Sequence, residues 1–131
     1  MTRSLILLFA CALVFFPLDF LWLSQTGKSF YRRELGTLLL EEPNLIVAAL
    51  FYIAYVAGVV ILVAAPANGD VLKAAMMGAV LGFVAYGTYD LTNLSTVRGF
   101  TATVAAVDII WGTALTAMTA AGGVFLASRF G

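Results

Sequence analysis

The chain has no histidine and a single cysteine, Cys11. The first absence removes the commonest metal and haem ligand, and the one side chain whose ordinary pKa lies near neutrality. The second leaves no intramolecular disulfide and no Cys-x-x-Cys pair, which argues against thiol redox chemistry. Charge is also scarce: seven Lys and Arg balance seven Asp and Glu, and charged residues make up 11% of the 131 positions. With zero formal net charge and no Lys/Arg cluster, nucleic acid is excluded as an expected partner, and no anionic lipid surface is called for.

What the chain has instead is apolar surface, with 63% hydrophobic residues and a mean hydropathy of +1.03, more than a soluble core of this size can bury. It needs lipid as its solvent. Apolar runs at about residues 4–24, 44–65, 71–94 and 103–130 are each long enough to cross roughly 30 Å of hydrocarbon, which takes about 20 helical residues. The expectation is an all-α membrane protein: one integral domain over residues 1–131, a bundle of four transmembrane helices with short loops. Leu8-Phe9-Ala10-Cys11 loosely resembles a lipoprotein cleavage box, but the apolar run continues to Leu23 and Phe9 fits the box badly, so the first run is read as a retained span.

The one substantial loop, Gln25 to Pro43, places Phe30, Tyr31, Leu35, Leu38 and Leu39 near one helical face and Arg32, Arg33, Glu34 and Glu41 elsewhere. It reads as a short interfacial amphipathic helix with Ser29 as N-cap. Pro43 suits a helix start, and Pro66 with Asn68-Gly69 supplies a tight turn, making spans two and three an antiparallel hairpin. Four spans put both termini on one side. Arg3, Lys73 and Arg129 stand there against Lys28, Arg32, Arg33 and Arg98 on the other, a balance that leaves orientation open.

Because the helices alternate in direction, Asp19 late in span one, Asp90 late in span three and Asp108 early in span four come to the same leaflet, joined by Asn44 and Asn93. Helical spacing aligns Asn44, Ala48, Tyr52 and Tyr55 in span two, and Gly78, Gly82, Tyr86 and Asp90 in span three with Tyr89 and Asn93 alongside. Trp22 follows Asp19 by three residues, as Trp111 follows Asp108. Polar faces turn inward, since an unpaired polar group against lipid costs several kcal/mol. A charged Asp at the bilayer centre costs about 2.5–3.5 kcal/mol, so these carboxylates must be shallow, partnered, hydrated or protonated. Pro17 leaves the Leu13 carbonyl without its helical donor just before Asp19. Gly78-Ala-Val-Leu-Gly82 is a small-xxx-small seam for tight packing within the bundle.

The strings Tyr86-Gly-Thr-Tyr89-Asp90-Leu-Thr-Asn93, Asp19-Phe-Leu-Trp22-Leu23, Phe30-Tyr31-Arg32, Leu35-Gly36, Phe51-Tyr52 and Asp108-Ile-Ile-Trp111-Gly112 resemble, in order and spacing, the uncharacterised bacterial family of predicted membrane proteins catalogued as domain of unknown function 2177. The resemblance runs from about residue 5 to the end. It implies a multi-pass protein of the bacterial inner membrane. It carries no established activity, cofactor or catalytic residue. Members' genes lie near those of photolyase-like proteins, cyclopropane-fatty-acid-type methyltransferases and flavin-dependent oxidases, which raises a lipid-related role.

Three expectations follow. The first is an intramembrane pocket that binds or modifies a lipid or other hydrophobic molecule. Asp19, Asp90 and Asp108 would form its polar end and are the candidate catalytic residues, with Asn44, Tyr52, Tyr55, Tyr86, Tyr89, Asn93, Trp22 and Trp111 around the substrate. The second is a proton- or cation-coupled small transporter, and the third a structural or accessory subunit whose polar faces pack against one another or a membrane partner. Whether the chain is an enzyme, a homodimer or a cation-binding protein stays open at this point, and no metal or cofactor is assigned.

Overall fold

In a computed structural model, residues 2–39 and 44–130 are described, apart from the side chains of Gly27 and Lys28. Four of the helices are long and apolar enough to cross a membrane: Thr2–Thr26, Leu45–Ala64, Val71–Thr96 and Ala102–Phe130. The expected Pro43 helix start and the polar position of Glu41 lie outside the described residues.

Helix α1 (Thr2–Trp22) does not stop at the end of the first span. It widens into a π-helical stretch, Leu23–Tyr31, and returns to α-helix as α2 (Arg32–Leu35). The joining residues Trp22 and Arg32 both keep right-handed helical backbone, so there is no break. The short helix expected between spans one and two is thus present, but it grows out of span one. Ser29 is not its cap: it lies inside the π stretch, and its hydroxyl donates back to the Gln25 carbonyl at 3.4 Å. Gly36, at φ 54°, ends the helical path and a 3₁₀ turn, Gly36–Leu38, follows.

Helix α3 (Leu45–Val59) starts at Asn44, whose side chain accepts the Val47 N–H at 3.2 Å, and ends in a π-widened turn, Val60–Ala64. The chain reverses through Asn68 and Gly69, both in the left-handed region at φ 52° and 84°, which is the turn chemistry expected of Asn-Gly. Asp70 caps α4 (Val71–Thr96) by accepting from the Lys73 N–H at 3.0 Å. Thr101 caps α5 (Ala102–Phe130) by accepting from the Val104 N–H at 3.2 Å.

Helix α5 is the centre of the bundle. It packs along its length against α4 and, on another side, against α1, whereas α3 engages the others mainly through its second half. Cys11 and Phe15 of α1, Val56, Val59 and Val63 on the α3 side, and Leu115 and Ala120 of α5 make the apolar core. The outward faces stay apolar, as a lipid-facing surface requires: Leu45, Ile46 and Leu50 are 72%, 74% and 65% exposed.

Glycine sets how closely α4 and α5 approach. A Cβ at Gly78 would stand 2.8 Å from the Thr116 carbonyl oxygen, one at Gly82 would run into the Gly112 carbonyl, and one at Gly112 would enter the Tyr86 ring. The Gly78-xxx-Gly82 seam is therefore consumed inside the bundle. Along it, Gly78 lies by Ala120, Gly82 by Thr116 and Tyr86 by Gly112, one antiparallel register stepping a turn at a time.

Gly82→Ala is expected to lower the unfolding free energy in detergent by about 1–3 kcal/mol, because backbone rather than a flexible side chain must give way. Gly58→Ala, where nothing lies within 4 Å, is expected to leave stability unchanged or raise it by roughly 0.5–1 kcal/mol. Thermal melts of both variants in the same detergent check the contrast; equal effects would mean that α4–α5 contact is not the constraint.

Candidate functional site

The acidic residues gather at one end of α1, α4 and α5, each held differently. Asp19 is 6% exposed and accepts the Trp111 indole N–H at 3.3 Å, with the Tyr52 hydroxyl against the same carboxyl. Asp108 accepts the Tyr31 hydroxyl at 2.8 Å. Asp90 is wholly buried, and among the described residues neither of its oxygens meets a hydrogen-bond donor. What stands within hydrogen-bonding reach of it is the carboxyl of Asp108. The register explains this: carried one turn beyond Tyr86 and Gly112, the α4–α5 seam sets Asp90 opposite Asp108.

Aromatic rings surround these groups. Trp22 and Trp111 stack at 4.4 Å with 5° between their planes, so the two similar Asp-x-x-Trp strings meet through their indoles. The Trp22 N–H donates to the Tyr31 hydroxyl at 3.2 Å, which in turn donates to Asp108. Nearer the middle of the bundle, Phe15 packs edge-on against Tyr52 at 5.5 Å, and Tyr55 meets Tyr86 edge-on at 6.1 Å. The Tyr55 hydroxyl pairs with that of Thr116 at 2.8 Å. The named donors to Asp19 and Asp108 are neutral ones, and such bonds satisfy a carboxylate without bringing a second charge into a low dielectric.

Not every expected residue joins this group. Asn44 is exposed and its side chain is spent on capping α3. Tyr89 is 58% exposed and pairs with Asn93 on its own helix, at the rim. Asp19, Asp90, Asp108, Tyr52, Trp22 and Trp111 do come together, with Tyr55 and Tyr86 beneath. Among the described residues no three His, Cys, Asp or Glu side chains converge as a metal site would require. Two depressions of about 410 and 400 Å³ lie away from the cluster, towards the chain termini: Arg3, Ala64 and Ser128 line one, Leu5, Phe9 and Phe130 the other.

Tyr31 is the group that periodicity missed. In an α-helix nine residues make two and a half turns, which would set Trp22 and Tyr31 on opposite faces. The i→i+5 bonding of the π stretch widens each turn beyond four residues, so nine residues return close to the same face. The widening aims both rings at α5. Just beyond, the Thr101 hydroxyl donates to Glu34 at 3.1 Å, and Leu38 rests on Gly99, so the extension lies over the start of α5 and the loop before it. The string Phe30-Tyr31-Arg32 in the family resemblance was the available signal.

The chain belongs to the family described as Predicted membrane protein (DUF2177), whose profile matches residues 4–125. It is a membrane protein with four candidate spans. Searches of curated proteins and of solved structures gave no significant match.

Tyr31→Phe is expected to cost about 1–3 kcal/mol, since it takes the donor from Asp108 and the acceptor from Trp22. Burial first, and then the charge of Asp108, push the Tyr31 phenol above its ordinary range. Folding thus favours the protonated phenol; its contribution is complete below about pH 10 and declines as pH rises beyond that value. Melts of wild type and variant from about pH 8 to about pH 11 should show the gap narrowing at the alkaline end. A gap that does not change with pH would contradict this role for Tyr31.

Proposed function

We propose that this is a multi-pass protein of the bacterial inner membrane that binds a lipid or another hydrophobic molecule, whose polar head meets the cluster of Asp19, Asp90 and Asp108. The observation that carries the reading is the departure of α3 at this level. Its first half, from Leu45 to Phe51, is largely exposed, and α3 reaches back at this end through Tyr52 and Tyr55. A molecule dissolved in the leaflet therefore approaches the acidic end sideways, past Phe16 and Phe51, without crossing the bundle. Aromatic walls suit an acyl or isoprenoid-like body, and carboxyl acceptors suit a hydroxyl or amine head.

Membrane lipid is the partner class this implies. In an enzyme built on the site, a protonated carboxyl would donate to the head group while an ionised neighbour accepts, the division of labour that two unlike carboxyls provide. Asp19, the carboxyl beside Tyr52 and hence closest to the α3 side, is the residue to which the head group is assigned. A rival reading, in which the cluster only ties helices together, draws on the direct bonds from Trp111 to Asp19 and from Tyr31 to Asp108.

The two readings separate in a retention experiment. Protein purified in detergent is extracted and its amphiphiles are identified by mass spectrometry, for wild type and for the Asp19→Asn, Tyr52→Phe double variant. The expected result is one hydroxyl- or amine-bearing amphiphile, retained by wild type and reduced roughly tenfold or more in the variant, the equivalent of about 1.4 kcal/mol. The same amphiphiles in equal amount from both proteins, with the variant folded, would leave the helix-tying role standing.

A further inference from the structure

We propose that Asp90 and Asp108 together form a buried proton-binding site, holding one proton between their two carboxyl groups. Asp90 is fully enclosed and among the described residues neither oxygen has a donor, while the antiparallel α4–α5 register sets the Asp108 carboxyl opposite it, within hydrogen-bonding reach. Two carboxylates so placed repel, and an enclosed one has no water to compensate it. A single proton resolves both problems. Asp90 becomes the donor that its surroundings lack, Asp108 the acceptor, and the pair carries one negative charge rather than two. Moving the proton across breaks one O–H bond and forms the other, with no further reactant.

The groups around the pair fit this assignment. Tyr31, from the α1 extension, donates to Asp108, so the remaining charge is stabilised on the Asp108 side. Asp19 of α1 is a third acid, close enough to Asp108 for like charges on the two to repel. Tyr86 of α4 and Tyr52 of α3 lie beside the cluster as phenols, and Tyr89 of α4 stands at its rim. Arg32 and Arg33 of the extension are exposed. Asp90 is enclosed whereas Asp108 is half-buried, so the pair would serve as a proton store beside Asp19 for whatever head group arrives there. The assignment does not depend on the amphiphile reading, because the proton is present in ligand-free protein.

Infrared difference spectroscopy tests this on the full chain, delipidated and in an ester-free detergent near pH 7. A protonated carboxylic acid gives a C=O band that shifts in D₂O, whereas carboxylates and amides give none there. The expected result is a band corresponding to one protonated carboxyl in wild type, absent from both Asp90→Asn and Asp108→Asn. Either variant replaces the shared proton with an amide N–H that bonds the surviving carboxylate. These near-isosteric changes preserve the shape of the pair, and an Asp19→Asn control should keep the band. A band that survives Asp108→Asn would show Asp90 to be a solitary buried acid and overturn the sharing. Wild type without a band would also overturn it, and a band that emerges only on removing sodium or magnesium would assign the site to that cation instead.

Discussion

The close approach of α4 to α5 is the constraint on which the rest depends. Glycines at 78, 82 and 112 leave no room for a Cβ between the two backbones, so the helices cannot slide past one another without a clash. In lipid this matters more than in water. Bilayer hydrocarbon is as apolar as leucine, so little hydrophobic drive holds helices together and packing contact has to do it. The same seam fixes a register, and the register sets Asp90 against Asp108, Tyr86 against the Gly112 backbone, and Thr116 where Tyr55 can reach it.

The electrostatic problem is met by neutral donors and by proximity among the acids. A single charge near the bilayer centre costs about 2.5–3.5 kcal/mol, and three unassisted charges would consume most of a typical domain's stability of roughly 5–15 kcal/mol. Trp111 and Tyr52 serve Asp19, and Tyr31 serves Asp108. Of these three carboxyls, Asp90 is the one without a donor among the described residues, so the local chemistry turns on how its pair with Asp108 is charged. The helices also give this end an asymmetry: α5, α4 and α1 hold it closely, while α3 stands off and touches it through tyrosines.

The π-helical stretch links this end to the interface. By widening the turn it lets span one run without a break into the short helix that follows, and brings Trp22 and Tyr31 onto one face. The stacked indoles of Trp22 and Trp111 then join α1 to α5 at the level of the carboxyls, while Glu34 and Leu38 secure the extension against Thr101 and Gly99. The extension therefore covers the acidic end, and does so through side chains that are themselves part of the hydrogen-bonded chain to Asp108.

Composition and hydropathy alone determined the four candidate spans and the Asn68-Gly69 reversal, because a helix crossing hydrocarbon needs a long apolar run and turns need left-handed backbone. Alternating helix direction likewise sent Asp19, Asp90 and Asp108 to one end, since residue position along a span converts directly into depth. Rotation and register were beyond that reading. Asn44 lies at the right depth yet spends its side chain on a cap, and Tyr89 shares a helix with Asp90 yet points to the rim. Tyr31 sits in what reads as a separate short interfacial helix, and the π widening, which α-helical spacing cannot anticipate, turns it onto Asp108. Depth is a one-dimensional property of the chain. Which carboxyl meets which partner depends on how glycine lets two backbones touch, and that contact exists only once the helices are packed.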